Sequence, residues 1–225
     1  MPPCTIVFDL DGTLIDTAPD LMGAIDHLLV RKGLPTVAES ETRPLISYGS
    51  QAMLKRALHV LNHHIDDATF SAWWHEYLDI YSATIADKSR PFPGLLNVLD
   101  RLEAEGHTFA VCTNKTEELS KKLLAALKLD HRFRAIVGRD TLPHSKPHPE
   151  HLLGTLRRAG GDPRTAVMVG DSDVDILTAQ AANIPVIAVT FGYCHAPVAS
   201  FNPTAVIDHY DAFEHAFATV RSPRT

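Results

Sequence analysis

The chain opens on a short run without polar interruption, Thr5-Ile6-Val7-Phe8, in which β-branched and aromatic side chains follow one another. Continuity of this kind, rather than apolar-polar alternation, belongs to a strand covered on both faces, and it predicts a central strand of a parallel sheet. The period then becomes helical. Leu21, Ile25, Leu28 and Leu29 form one stripe, preceded by Thr17-Ala18-Pro19-Asp20, which reads as a capping box with Thr17 as cap and Asp20 closing it. This helix is expected to run to about Gly33. The helical period persists to about residue 87, with Met53, Leu54, Ala57, Leu58 and Leu61 on one element and Phe70, Trp73, Trp74, Tyr77, Leu78 and Tyr81 on another. The aromatic stripe has the spacing of a packed face and is assigned to core packing rather than to a ligand platform.

Pro91 and Pro93-Gly94 punctuate the chain, and beyond them strands alternate with helices. Strands are expected over 108–113, 135–138, 166–170 and 186–189. Helices are expected near 94–105, 116–128, 148–160, 174–183 and 211–220. Alternation of this sort predicts an α/β fold, a doubly wound parallel Rossmann-like sheet whose right-handed crossovers bring the carboxyl ends of the strands to one edge, where ligands bind. The helical stretch interrupts that pattern after the first strand. The expected organisation is therefore a core domain of residues 1–15 and 91–225 carrying an inserted helical cap of residues 16–90.

Composition adds mainly exclusions. With 45% hydrophobic and 21% charged residues, the chain has neither the polarity of a disordered segment nor the apolar run of a membrane span. Its formal charge is 21 − 27 = −6, and no stripe of Lys and Arg is present to follow a phosphate backbone, so nucleic acid is not an expected partner. Cys4, Cys112 and Cys194 are an odd set without a close pair, and the N-terminus reads straight into a strand. These features favour a reduced, cytoplasmic protein, a monomer or homodimer away from membranes. Thirteen His residues are scattered without the spacing of a structural zinc site.

Chemistry enters at the strand ends. Asp9 and Asp11 stand two apart at the end of an extended run, which would put both carboxylates on one face, and Gly12 lets the chain turn after them. Thr113-Asn114 follows the apolar run 109–112, Asp171 follows Val167-Met168-Val169-Gly170, Asp175 stands four beyond Asp171, and Lys146 lies in the loop Ser145-Lys146-Pro147. Each has a structural reading of comparable weight: a turn at Asp11-Gly12, a strand end at Thr113, a helix cap at Asp171 to Asp175, a solvated charge at Lys146. A calcium loop is excluded, because counting from Asp9 the sixth position is Leu14 and the twelfth is Asp20. Taken together, the positions supply what phosphoryl transfer to a carboxylate requires: oxygen ligands for Mg2+, a Lys, and hydroxyl or amide donors.

The combination Asp9-Leu10-Asp11-Gly12-Thr13, Thr113-Asn114, Lys146 and Gly170-Asp171-Ser172-Asp173-Val174-Asp175 resembles the four motifs of the haloacid dehalogenase superfamily phosphatases. The resemblance covers the whole chain, with the helical insert in the place of that superfamily's C1 cap. It implies hydrolysis of a small-molecule phosphate monoester with Asp9 as nucleophile and Asp11 as acid, then base. It further implies Mg2+ held by Asp9, Asp171 and the backbone carbonyl of Asp11, phosphate oxygens held by Thr113 and the Asn114 amide, Lys146 steadying Asp9, and Asp175 orienting Lys146 or metal-bound water. Asp11 speaks for phosphate esters, since the superfamily's dehalogenases lack an acid there.

Within the superfamily the chain is most similar to bacterial phosphoglycolate phosphatases, through Asp140-Thr141-Leu142-Pro143, Lys146-Pro147-His148-Pro149, Gly192-Tyr193, Asn202-Pro203 and Val206-Ile207-Asp208. The cap run Tyr48-Gly49-Ser50-Gln51-Ala52-Met53-Leu54 matches in part, with Ser50 where a second Gly is usual. Arg43, Tyr48, Gly49, Ser50 and Lys55, with Arg56, are the cap candidates for selecting the substrate. The alternatives are a phosphatase for sugar or amino-sugar phosphates and a phosphosugar mutase, whose Ser-Arg cap pair is missing here. A response-regulator receiver would lack the insert and carry its acceptor after a later strand. An inactive relative would lack an Asp or the Lys.

Overall fold

The structure is a computed structural model and describes residues 2–221. Strand β1 (Thr5–Phe8) is buried along its whole length, as its unbroken apolar run requires. It pairs in parallel on one side with β4 (Thr108–Cys112) and on the other with β6 (Val167–Gly170). Among the described residues the main sheet has six strands in the order β5-β4-β1-β6-β7-β8, all parallel, with β5 (Phe133–Val137), β7 (Val186–Val189) and β8 (Ala205–Ile207) completing it. The sheet contains every expected strand and adds β8.

Alternate residues of β1 feed opposite cores. Ile6 and Phe8 join Phe109, Val111, Val167 and Val169 on the face covered by α5 (Leu95–Ala104), α6 (Glu117–Ala126) and α9 (Phe213–Arg221). Val7 joins Ala110, Cys112 and Met168 on the face covered by α7 (Pro149–Ala159) and α8 (Asp173–Ala181). Each fully buried Ile, Leu or Phe here contributes about 1.5–3 kcal/mol, so β1 is anchored from both sides. The chain winds outward from β1 to β4 and β5, then returns to β6, β7 and β8. The switch point therefore lies beside β1, where an open α/β sheet has its ligand crevice.

Between β1 and β4 the chain forms β2 (Ile15–Asp16), the helices α1 (Ala18–Arg31), α2 (Glu39–Thr42), α3 (Ser50–Val60) and α4 (Asp67–Ala83), a 3-10 turn over Arg43–Tyr48, and β3 (Arg90–Pro91). The two short strands pair antiparallel, Ile15 with Pro91 and Asp16 with Arg90, closing the neck of the helical insert. The expected capping box at Thr17 is not formed, because both side chains have tertiary partners. Thr17 Oγ1 donates to Asp11 Oδ1 at 2.7 Å, and the Asp20 carboxylate accepts from the amides of Lys88 and Ser89 and from Ser89 Oγ at 2.6 Å. Asp20 thereby ties the entry of the insert to its exit. The tetrad Leu21, Ile25, Leu28 and Leu29 is buried as its spacing predicts, and its core is continuous with the α5 face of the sheet.

Candidate active site

Asp9 follows β1 directly, its backbone amide still bonded to Val169 O at 2.9 Å. Its Oδ1 accepts from the Leu10 amide at 2.7 Å and meets Lys146 Nζ at 2.9 Å. The same amine reaches Asp175 Oδ1 at 2.6 Å. Lys146 is held from three sides: its amide donates to His151 Nδ1 at 3.1 Å, its carbonyl accepts from Asn114 Nδ2 at 3.2 Å, and its amine lies between the two carboxylates. Burial and the charge of Lys146 push His151 down to about 4. Its ring is therefore neutral and can accept the Lys146 amide while Nε2 faces Gly138 O at 3.1 Å.

Asp175 belongs to the capping box of α8. Its Oδ2 accepts from the amides of Asp171 and Ser172 and from Ser172 Oγ at 2.8 Å. Asp171 is gripped on both oxygens, Oδ1 by Thr13 Oγ1 at 3.0 Å and Oδ2 by the Tyr193 amide at 2.7 Å. Glycine is required around it: Gly12 has φ +84°, and a Cβ there would stand 2.5 Å from Asp171 Oδ2.

Oxygens of Asp9, Asp171 and Asp175 lie within 4.8 Å of one another, all buried. Burial raises Asp9 to about 7, opposed by Lys146 and reinforced by the negative charges of Asp175 and Asp11. Burial, then Asp175 and Asp9, hold Asp171 well above the usual carboxylate range. Three carboxylates against one amine leave uncompensated negative charge in a dry site, and a hard divalent cation of oxygen preference is the group such a donor set fits.

Asp11 does not join that cluster. β1 ends at Phe8, and the amides of Leu14 and Ile15 turn back to Leu10 O. The Asp11 carboxylate instead receives Thr17 Oγ1 and Lys115 Nζ, the latter at 2.9 Å from each oxygen. Thr113 is buried, its Oγ1 accepting the Lys115 amide at 3.2 Å. The Asn114 side-chain amide is spent on Lys146 O and on Ser47 O of the insert, while its Oδ1 is buried without a partner among the described residues.

The cap candidates divide. Gly49 and Ser50 line a cavity between insert and sheet, together with Asp11, Lys115, Tyr77 and Tyr81. Arg43 pairs with Glu39 at 2.6 Å and lies over the Tyr193 ring, Tyr48 donates to Asp173 at 2.7 Å, Lys55 sits over Phe70, and Arg56 pairs with Glu41. None of these four lines the cavity. Lys115 was not singled out in the sequence; its place directly after Thr113-Asn114 at a strand end was the available signal. A larger concavity, about 560 Å³, is lined by Arg164, Gln180 and Asn202, lies at the amino end of β6 and shares no residue with the carboxylates.

The fold and this site define a class. Residues 6–189 match the family model of haloacid dehalogenase-like hydrolases, and the chain belongs to that family. It is 47% identical over 207 residues to the phosphoglycolate phosphatase of Mesorhizobium japonicum, covering 92% of this chain and 91% of the relative, and 41% identical to that of Agrobacterium fabrum, covering 93% and 90%. A predicted phosphoglycolate phosphatase from Haemophilus somnus superposes with a TM-score of 0.88 at 29% identity over 95% of this chain and 97% of that one. The chain is accordingly an enzyme of the phosphoric monoester hydrolase class. Among the described residues no helix is long and apolar enough to cross a membrane.

Proposed function

We propose that this enzyme hydrolyses a small phosphate monoester through an aspartyl phosphate on Asp9, with 2-phosphoglycolate as substrate and glycolate and phosphate as products. The observation that carries the reading is the buried Lys146 amine bridging Asp9 at 2.9 Å and Asp175 at 2.6 Å beside Asp171. A nucleophilic carboxylate needs one oxygen oriented and its charge balanced before it meets an anionic phosphorus.

Asp9 and Asp171, with the Asp11 carbonyl, would hold Mg2+. Bound there, the ion would neutralise phosphate oxygens and lower the repulsion between ester and nucleophile. The Asp9 oxygen attacks phosphorus as the bond to the ester oxygen breaks, and Asp11 delivers a proton to that oxygen. Asp11 then takes a proton from water as the water oxygen attacks phosphorus and the Asp9–phosphorus bond breaks. Thr113 and the Asn114 backbone amide steady the phosphate oxygens, and Asp175 keeps Lys146 in place. The helical insert acts as a cap that excludes bulk water and selects the leaving group.

Phosphoglycolate is favoured over a sugar phosphate by the names and near-complete coverage of the two relatives. A panel of phosphate esters assayed with Mg2+ tests the choice. The highest kcat/KM is expected on 2-phosphoglycolate; a higher value on a sugar or amino-sugar phosphate would replace it.

A further inference from the structure

The face of the insert that looks onto Asp11 contains polar atoms buried and left without partners. Tyr77 and Tyr81 are 0% and 1% exposed, their rings stacked with centroids 6.3 Å apart, and among the described residues neither hydroxyl has a hydrogen-bond partner. A buried, unsatisfied hydroxyl costs about 1–3 kcal/mol, so two on adjacent turns of α4 call for an explanation. Other large polar residues nearby are satisfied: Trp74 Nε1 donates to Ser50 Oγ, and Tyr193 and Tyr210 both place their hydroxyls on acceptors. Tyr77 and Tyr81 line the cavity above Asp11, as Trp74 does, but their hydroxyls alone of these residues' side-chain polar atoms have no acceptor among the described residues.

Lys115 supplies the charge. Its ammonium has three donors; two reach the Asp11 oxygens at 2.9 Å, and the amine stands 4.7 Å over the Tyr81 ring. Among the described residues no acceptor takes the third. A cation with an unspent donor and two phenols with free hydroxyls therefore surround one space. That space measures about 40 Å³, room for about three water-sized groups at roughly 10–15 Å³ each. A sugar ring exceeds it. A methylene bearing a carboxylate fills it.

We infer that Tyr77, Tyr81 and Lys115 form the subsite that recognises the leaving group, and that it takes a carboxylate on a fragment of about two carbons. The inference rests on the reading of Asp9 and Asp11 given above, since it places the ester oxygen beside Asp11. Both phenols donate to the carboxylate and Lys115 pairs with it. The discriminating chemistry is thus on α4 and in the loop after β4, away from Arg43, Tyr48 and Lys55.

The test compares 2-phosphoglycolate with ethyl phosphate, which replaces the carboxylate by a methyl group. In the wild-type enzyme kcat/KM is expected to be higher for phosphoglycolate, and the ratio of the two values is expected to fall roughly tenfold or more in Tyr77→Phe and in Tyr81→Phe. A ratio unchanged in both variants overturns the subsite. Product inhibition of the wild-type enzyme gives a second reading independent of any variant: glycolate is expected to inhibit at lower concentration than its neutral amide, and equal inhibition overturns the inference. If the wild-type enzyme hydrolyses both esters equally well, the subsite fails while the reading of Asp9 stands. If it hydrolyses neither, that reading fails first.

Discussion

The sheet edge and the insert face meet across one cavity and treat their polar atoms in opposite ways. At the edge, Lys146, Asp171 and Asp175 each have two or more partners from the protein itself. Across the cavity, Tyr77 and Tyr81 hold hydroxyls that no partner among the described residues satisfies. The proposed reacting groups are thus fixed before substrate arrives, as preorganised electrostatics require. The face that would choose the substrate is left to be completed by it. Asn114 belongs to both regimes, with its amide spent on Lys146 and Ser47 and its Oδ1 open.

The largest effect expected from breaking the contrast is at Lys146. Lys146→Met removes the one cation between Asp9 and Asp175 and leaves both carboxylates buried, a loss of about 3–5 kcal/mol of stability in the metal-free protein. Denaturant unfolding measures it, and a loss below about 1 kcal/mol, the size of an exposed ion pair, would deny that the edge is built around this amine.

Next comes the coupling of protons to the cation. A carboxyl raised from 3.8 to about 7, as at Asp9, favours the protonated native state, so the metal-free enzyme should lose stability as pH rises from about 4 through about 7. Mg2+ must replace that proton. Its stabilising effect in thermal unfolding should therefore grow across this window, by up to about 1.4 kcal/mol per pH unit. A shift independent of pH would remove Asp9 from the ion's ligands.

Gly12→Ala follows, at about 1–3 kcal/mol for a positive φ in a residue with a Cβ, with a weakened response to Mg2+ because that Cβ meets Asp171. The smallest effect has the opposite sign. Tyr77→Phe deletes an unpartnered hydroxyl and should leave stability unchanged or raise it by up to about 1 kcal/mol. A clear loss in denaturant unfolding would mean that the hydroxyl is satisfied within the protein, and the contrast would collapse.

Much of the edge was legible in the sequence because continuous apolar runs end abruptly at Asp9, Thr113 and Asp171, and such a boundary is local. What escaped depends on distant partners. β8 is three residues long with Val206 exposed, so it carries neither a buried run nor alternation. β2 and β3 have two residues each, one of them Pro91, and exist only because they pair across the insert. Thr17 and Asp20 have capping-box spacing, yet Asp11 and Ser89 outbid the helix terminus for them. Lys115 looks like one more solvated lysine until the fold returns its amine to Asp11, 104 positions away in sequence. Arg43, Tyr48 and Lys55 were credible by residue type alone, and charge does not reveal which way a side chain turns. Tyr77 and Tyr81 pack as their spacing predicts; periodicity is silent on whether a hydroxyl finds an acceptor.

The central claim is that Asp9 carries the phosphoryl group. Enzyme mixed with Mg2+ and 2-phosphoglycolate, quenched in acid during turnover and digested, can be mapped by mass spectrometry. The account predicts a phosphorylated peptide containing Asp9, lost in Asp9→Asn together with release of phosphate. Turnover with the modification on another residue, or undiminished release of phosphate by Asp9→Asn, would contradict it.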